Sequence, residues 1–225
     1  MERDLEFIYV GDPMCSWCWG FAPVLERMQE VYEIPIRVVV GGLRPGPDAE
    51  ELDDRVAATL AHHWEQVAHA SGQPFDHSFL DRRDGWIYDT ETPAVAVVVM
   101  RELSPSDTMR FHTRLQRAFY SERVDITDPA EYPALLDGFD VDHDKFMSLL
   151  GSDDMRRLAW KDFAEARSLG ANGFPTLLVR DGDDYGIVTR GYLPADRLLP
   201  VLSDWLLSRY EQSGDALFCE PGTIC

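Results

Sequence analysis

Residues 5–21 read Leu-Glu-Phe-Ile-Tyr-Val-Gly-Asp-Pro-Met-Cys-Ser-Trp-Cys-Trp-Gly-Phe, and their order decides the fold. Leu5–Val10 is a short β-rich run, the pattern of a buried strand. Gly11-Asp12-Pro13 is a turn signal. Past the two cysteines, Val24, Leu25, Met28 and Val31 recur at helical spacing, which predicts a helix reaching about Tyr32. Pro35–Val40 is β-rich again and closes at Gly41-Gly42. Strand, helix and strand follow one another closely, the opening of an α/β fold, with Cys15-x-x-Cys18 where the first strand meets the helix.

That position gives the cysteine pair its chemistry. A helix beginning near Cys15 or Ser16 aims unpaired N–H groups and the positive end of its dipole at the first sulfur. Both favour thiolate over thiol, so Cys15 is read as the attacking nucleophile. Cys18, one turn further in and covered by Trp19 and Phe21, is read as the resolving thiol that opens a mixed disulfide on Cys15. Half of a zinc site is the alternative, but zinc needs two further ligands. The other cysteines are Cys219 and Cys225, and no His-x-x-x-His lies near, so the redox reading is preferred and no metal or cofactor is expected. Trp17 is expected to face substrate while Trp19 packs inward. Asp12, three residues before Cys15, reads first as a helix cap and second as an aid to proton transfer.

Outward from this motif, residues 45–170 are mostly helical in pattern. Helices are predicted over Ala49–Ala70, Thr92–Leu103, Ser106–Ser121, Asp144–Leu150 and Ser152–Leu169. Thr92-Pro93 reads as an N-cap with proline at the first helical position, so the valine-rich segment behind it is assigned to a buried helix despite its strand propensity. His62, His63 and His69 interrupt one helix face. His62 and His69 stand two turns apart and read as solvated residues rather than metal ligands. After Gly170 the texture returns to strand: Leu177–Val179, a turn at Asp181–Asp184, then Tyr185–Arg190 and a terminal helix over Pro194–Tyr210. Pro175 opens a strand and removes a ladder donor, which suits either a cis Phe174–Pro175 bond or a trans proline at an edge; the upstream motif favours cis.

These pieces, Asp12-Pro13-Met14-Cys15-Ser16-Trp17-Cys18-Trp19-Gly20-Phe21, the helical insertion and Gly173-Phe174-Pro175-Thr176, resemble the DsbA family of the thioredoxin superfamily over nearly the full length. Asp-Pro-x-Cys-x-Trp-Cys, with Ala118-Phe119-Tyr120 and Asp125-Ile126-Thr127-Asp128, is similar to the cytoplasmic FrnE-like branch. The resemblance implies an α/β thioredoxin-like fold with a large all-helical insertion. Residues 1–44 and 171–210 would form the thioredoxin-like domain, 45–170 the insertion and 211–225 a tail. It also implies that Trp17, Phe174 and Pro175 meet an extended substrate. Periplasmic DsbA carries Pro-His between its cysteines, and Ser16-Trp17 stand there instead, so strong oxidising power does not carry over. Kappa glutathione transferases and hydroxychromene carboxylate isomerases share the fold but use a serine, which the intact pair argues against.

Cys219-Glu220-Pro221-Gly222-Thr223-Ile224-Cys225 ends the chain, with Pro221-Gly222 suited to a type II turn. FrnE-like proteins are similar in carrying an additional C-terminal cysteine pair, which implies a second redox pair; a passive disulfide or two idle thiols are the alternatives.

Composition bounds the partners. The 225-residue chain carries a formal charge of −19 and only two lysines, Lys145 and Lys161. Its acidic residues are dispersed, a surface that repels phosphate backbones and anionic lipid, so nucleic acid and membrane are not expected partners. Disulfide-bearing proteins or small thiols are. Met1 standing just before the first strand, with no basic-then-apolar leader, points to the cytoplasm. The main reading is thiol–disulfide exchange; the alternative is an adaptor that binds and delivers a client protein without turnover. The oligomeric state has no signature in the sequence.

Overall fold

The computed structural model describes residues 5–82 and 84–213. Strand β1 (Leu5–Gly11) leads through a turn into helix α1 (Ser16–Val31) and strand β2 (Ile36–Val40). The middle of the chain carries β3 (Glu50–Glu51), α2 (Asp54–Ser71), β4 (Ile87–Tyr88), α3 (Glu91–Leu103), α4 (Thr108–Ser121), α5 (Tyr132–Leu135), α6 (His143–Leu150) and α7 (Asp153–Ser168). It closes with β5 (Thr176–Asp181), β6 (Asp184–Arg190) and α8 (Ala195–Ser213). The main sheet has the order β2-β1-β5-β6, with β1 parallel to β2 and antiparallel to β5. Among the described residues no helix is long and apolar enough to cross a membrane.

As a central strand, β1 is buried on both faces, which is why its sequence is continuously apolar rather than alternating. Phe7 and Tyr9 join the large core beneath α1, while Ile8 and Val10 meet Val39, Leu178 and Ala166 of α7 on the other face. Helix α1 runs through Pro23. Proline cannot donate to the carbonyl of Trp19 one turn back; the Gln73 side chain donates to it at 3.1 Å instead.

The structure moves several predicted boundaries. The first long helix of the middle segment starts at Asp54, not Ala49, because Asp53 caps it by accepting the Val56 N–H at 2.7 Å. The residues before it pair instead, Glu50 with Tyr88 and Glu51 with Ile87, so the insertion carries a small antiparallel ladder besides its helices. Helix α3 begins at Glu91, ahead of Thr92, because Asp89 accepts the Glu91 N–H at 2.8 Å. Pro93 then falls within the first turn, where its missing N–H leaves nothing unpaired. The valines behind it are helical, buried on every side by neighbouring elements. His62, His63 and His69 lie exposed on α2.

Candidate active site

The turn between β1 and α1 places both sulfurs. Cys15 is the N-cap of α1, with extended φ and ψ of −90° and 115°, and makes no side-chain capping bond of its own. Its N–H donates to the Asp12 carbonyl at 3.1 Å and its carbonyl accepts the Trp19 N–H at 3.1 Å. The Cys15 side chain therefore stands at the positive end of a sixteen-residue helix. Cys15 keeps 7% of its surface exposed and Cys18 none, and both are free thiols.

Across the site runs the approach to β5. The Phe174–Pro175 peptide is cis, and the Cys15 thiol donates to the Phe174 carbonyl at 3.7 Å. The segment is held on both sides: the Pro175 carbonyl accepts the Gly191 N–H at 2.7 Å, and the Thr176 hydroxyl donates to Gly173 O at 2.8 Å. The Phe174 ring lies on Gly41, where a Cβ would come within 2.2 Å of it. Gly41, the first of the glycine pair that signalled the end of β2, is thus also the seat of this ring, while Gly42 lies against Phe163. Trp17 is partly exposed and packs on Tyr192 at 5.7 Å, while Trp19 is buried, donating its indole N–H to Pro74 O at 3.0 Å.

Asp12 does not cap the helix. Its carboxyl is fully buried and ties three segments together: it accepts the Met14 N–H at 2.9 Å and the Leu43 N–H at 2.8 Å, and the Thr90 hydroxyl also faces it. Thr90 in turn accepts the Arg44 N–H at 3.0 Å. Burial raises the Asp12 pKa to about 6, against the pull of those donors. The Cys18 thiol is also pushed up, by burial first and then by Cys15; the Tyr9 hydroxyl and the Asp12 N–H oppose this.

Four further residues lie in this environment; of these the sequence reading quoted Tyr120, as part of the Ala118-Phe119-Tyr120 motif and with no role at the site, and did not single out Tyr9, Tyr88 or His112. Tyr9 of β1 faces both sulfurs. Tyr88 donates its hydroxyl to the Met14 carbonyl, and Tyr120 lies beside Tyr88. His112 packs edge-on to Tyr9 at 5.5 Å and is held neutral, its pKa lowered to about 3 by burial. Their approach depends on how α4 and β4 dock against β1, for which local sequence has no signal. The described residues hold no group of three or more His, Cys, Asp or Glu fit to bind a metal. Cys219 and Cys225 lie outside the described residues.

Comparison with known proteins bears on the fold. The family model of DSBA-like thioredoxin domains matches residues 8–199. A solved structure from Nitrosomonas europaea, described as a candidate protein disulfide isomerase, is 33% identical and superposes with a TM-score of 0.81 over 91% of this chain and 98% of its own. The cytosolic disulfide reductase DsbM from Pseudomonas aeruginosa, solved with GSH, is 25% identical with a TM-score of 0.69 over 92% of this chain and 98% of its own. The ClpXP adapter protein SpxH of Halalkalibacterium halodurans is 23% identical over 91% of this chain and 69% of its own length. These matches identify the family without selecting the FrnE-like branch.

Proposed function

The chain belongs to the family of DSBA-like thioredoxin domains, and we propose that it is a thiol–disulfide oxidoreductase in which Cys15 attacks and Cys18 resolves. The observation that carries this reading is the Cys15 sulfur, barely exposed at a helix N-terminus and 3.7 Å from the Phe174 carbonyl. A substrate strand laid beside the Phe174–Pro175 backbone would bring its disulfide to that sulfur. Cys15 then forms a mixed disulfide and releases one substrate thiol, and Cys18 attacks Cys15 and releases the other. Phe174 and Pro175 supply the backbone edge and Trp17, backed by Tyr192, an apolar platform.

Protein disulfides and small-thiol disulfides are both substrates in this reading. The structure of DsbM with GSH supports the small thiol, and the description of that relative as cytosolic supports a cytoplasmic setting, in which the net direction is reduction or isomerisation. The division into a thioredoxin-like part (1–44 and 171–210) and an insertion (45–170) is supported by a main sheet drawn wholly from the two flanks. The tail pair Cys219 and Cys225 is assigned as a second redox pair that exchanges with the first. The adaptor reading draws on one specific observation, the similarity to SpxH.

Insulin reduction and reactivation of scrambled ribonuclease, run on wild type, Cys15→Ser and Cys219→Ser, test these assignments. Activity in wild type, its loss in Cys15→Ser and a partial fall in Cys219→Ser are expected. Wild type inert in both assays with its thiols reduced and accessible would reject catalysis. Client binding that survives loss of both Cys15 and Cys18 would then favour the adaptor.

A further inference from the structure

Tyr9, His112, Gln116 and Tyr120 each carry a buried polar atom without a hydrogen-bond partner. Buried polar atoms are nearly always paired, so each such atom calls for a reason. For Tyr9 the surroundings supply one. The residue is fully buried in the middle of β1, its ring stacked on Phe21 at 6.3 Å and met edge-on by His112 at 5.5 Å. The ring extends forward along the strand until its hydroxyl lies over Gly11, where a Cβ would be 2.4 Å from the hydroxyl oxygen. Only glycine leaves that space. At the end of this reach the hydroxyl faces the sulfur of Cys18.

We propose that the Tyr9 hydroxyl is a hydrogen-bond donor held ready for the Cys18 sulfur, closing its bond when that sulfur ionises to release substrate from Cys15. This rests on the oxidoreductase reading above. In the release step the Cys18 thiol gives up its proton and its sulfur attacks Cys15 of the mixed disulfide. The Cys15–Cys18 bond forms, the bond from Cys15 to substrate breaks, and the departing substrate thiolate takes up a proton, so that one disulfide and one thiol remain in balance. Negative charge on Cys18 exists only during this step, in a fully buried site where ionisation is opposed. The groups that face it are Cys15 at the N-cap of α1, the Asp12 N–H in the turn, Tyr9 on β1 and Tyr120 on α4, while the Asp12 carboxyl acts on the two tyrosines. His112, behind the Tyr9 ring, stays neutral. A donor fixed in advance where charge develops needs no reorganisation at the moment of reaction, and its hydrogen bond strengthens as the acceptor becomes an ion.

With the tail thiols removed throughout by Cys219→Ser and Cys225→Ser, an aromatic disulfide, dithiobis-nitrobenzoate, separates the two halves of the cycle, because the reduced protein releases one coloured thiolate when Cys15 attacks and a second when Cys18 resolves. In that background the wild-type active site gives both phases and Cys18→Ser only the first. In Tyr9→Phe the first phase keeps its rate, while the second slows about tenfold or more and its pH midpoint moves upward. Since the hydroxyl makes no hydrogen bond of normal geometry in the reduced protein and faces the Cys18 thiol there, the variant's unfolding midpoint changes little. A second phase equal to wild type overturns the inference, and so does an equal slowing of both phases, which would mark a general disturbance of packing. Wild type without a first phase overturns the oxidoreductase reading and this inference with it, a result distinct from the other two. Should Tyr9→Phe fail to fold, a fluorinated tyrosine placed at position 9 provides a stronger donor of nearly the same shape. It must speed the second phase alone, and an unchanged rate refutes the assignment.

Discussion

Asp12 makes the stability of this protein depend on pH in a direction opposite to most carboxylates. In the unfolded chain its carboxyl ionises near 3.8; folded, it ionises near 6. Between these values the native state binds the proton more tightly than the unfolded state does. The Asp12 contribution is therefore fully present below about pH 4 and is lost as pH climbs through about 6. At ~1.4 kcal/mol per decade, the loss amounts to about 3 kcal/mol. Asp12→Asn removes the ionisation while keeping one oxygen for the Met14 or Leu43 N–H. Other titrating groups are common to both proteins, so the variant-minus-wild-type difference isolates Asp12, and the amide's imperfect match adds only a constant offset. Urea unfolding of both reduced proteins at intervals from pH 4 to 7.5 should show the difference move by about 2.5 kcal/mol in favour of Asp12→Asn, roughly half of it above pH 5. A difference flat to within about 0.5 kcal/mol, or one that moves the other way, refutes the reasoning.

Arg101 binds Asp162 through two hydrogen bonds of 2.7 and 3.0 Å, and Asp162 also accepts the Val40 N–H at 3.1 Å at the end of β2. Asp162→Ala leaves a largely buried guanidinium and a strand N–H without their carboxylate, so a loss of about 3–5 kcal/mol is expected in chemical denaturation; a loss under about 1 kcal/mol would count against it. Gly41→Ala drives a methyl group into the Phe174 ring, displacing the ring from its seat. Overpacking of this kind costs about 1–3 kcal/mol, and disulfide-exchange rates should fall at least several-fold while the far-ultraviolet spectrum is kept; unchanged turnover would show that the ring's position is immaterial. Trp17→Ala removes the Tyr192 contact and, if Trp17 is the substrate platform, raises KM severalfold with kcat little changed.

The opening of the fold was legible because its signals are local. A continuous apolar run marks a strand buried on both faces, Gly-Asp-Pro marks the turn, and four apolar residues at helical spacing mark α1. The cis Phe174–Pro175 bond was legible for a related reason: a proline at the mouth of a strand poses a local problem that the upstream cysteines help to solve. Local signals failed where the deciding contact came from elsewhere in the chain. Asp12 stands where a cap would stand, yet its partners are Leu43 and Thr90, brought in by β2 and by the turn before α3. The Glu50–Glu51 strand has two exposed acidic residues and no apolar face, so nothing in its composition announces a pairing with Ile87–Tyr88. Position 91 starts α3 because of an acceptor on Asp89, a competitor to Thr92 that a capping rule cannot rank without the backbone.

Tyr9 shows most plainly why the cysteine motif alone underdetermines its own chemistry. In sequence it is one more aromatic residue in a strand, and core packing is a sufficient account of it. Its hydroxyl acquires meaning only from two facts of opposite kind: an absence of side chain at Gly11 that opens the space, and burial of Cys18 that creates the need. In the proposed cycle, burial of Cys18 as the resolving thiol protects it from stray reagents but opposes the thiolate on which its reaction depends. The site's answer is a set of fixed donors, the Asp12 N–H and the Tyr9 hydroxyl, that favour charge on that sulfur without admitting water. Removing the hydroxyl should therefore leave Cys15 as reactive as before and slow Cys18 alone.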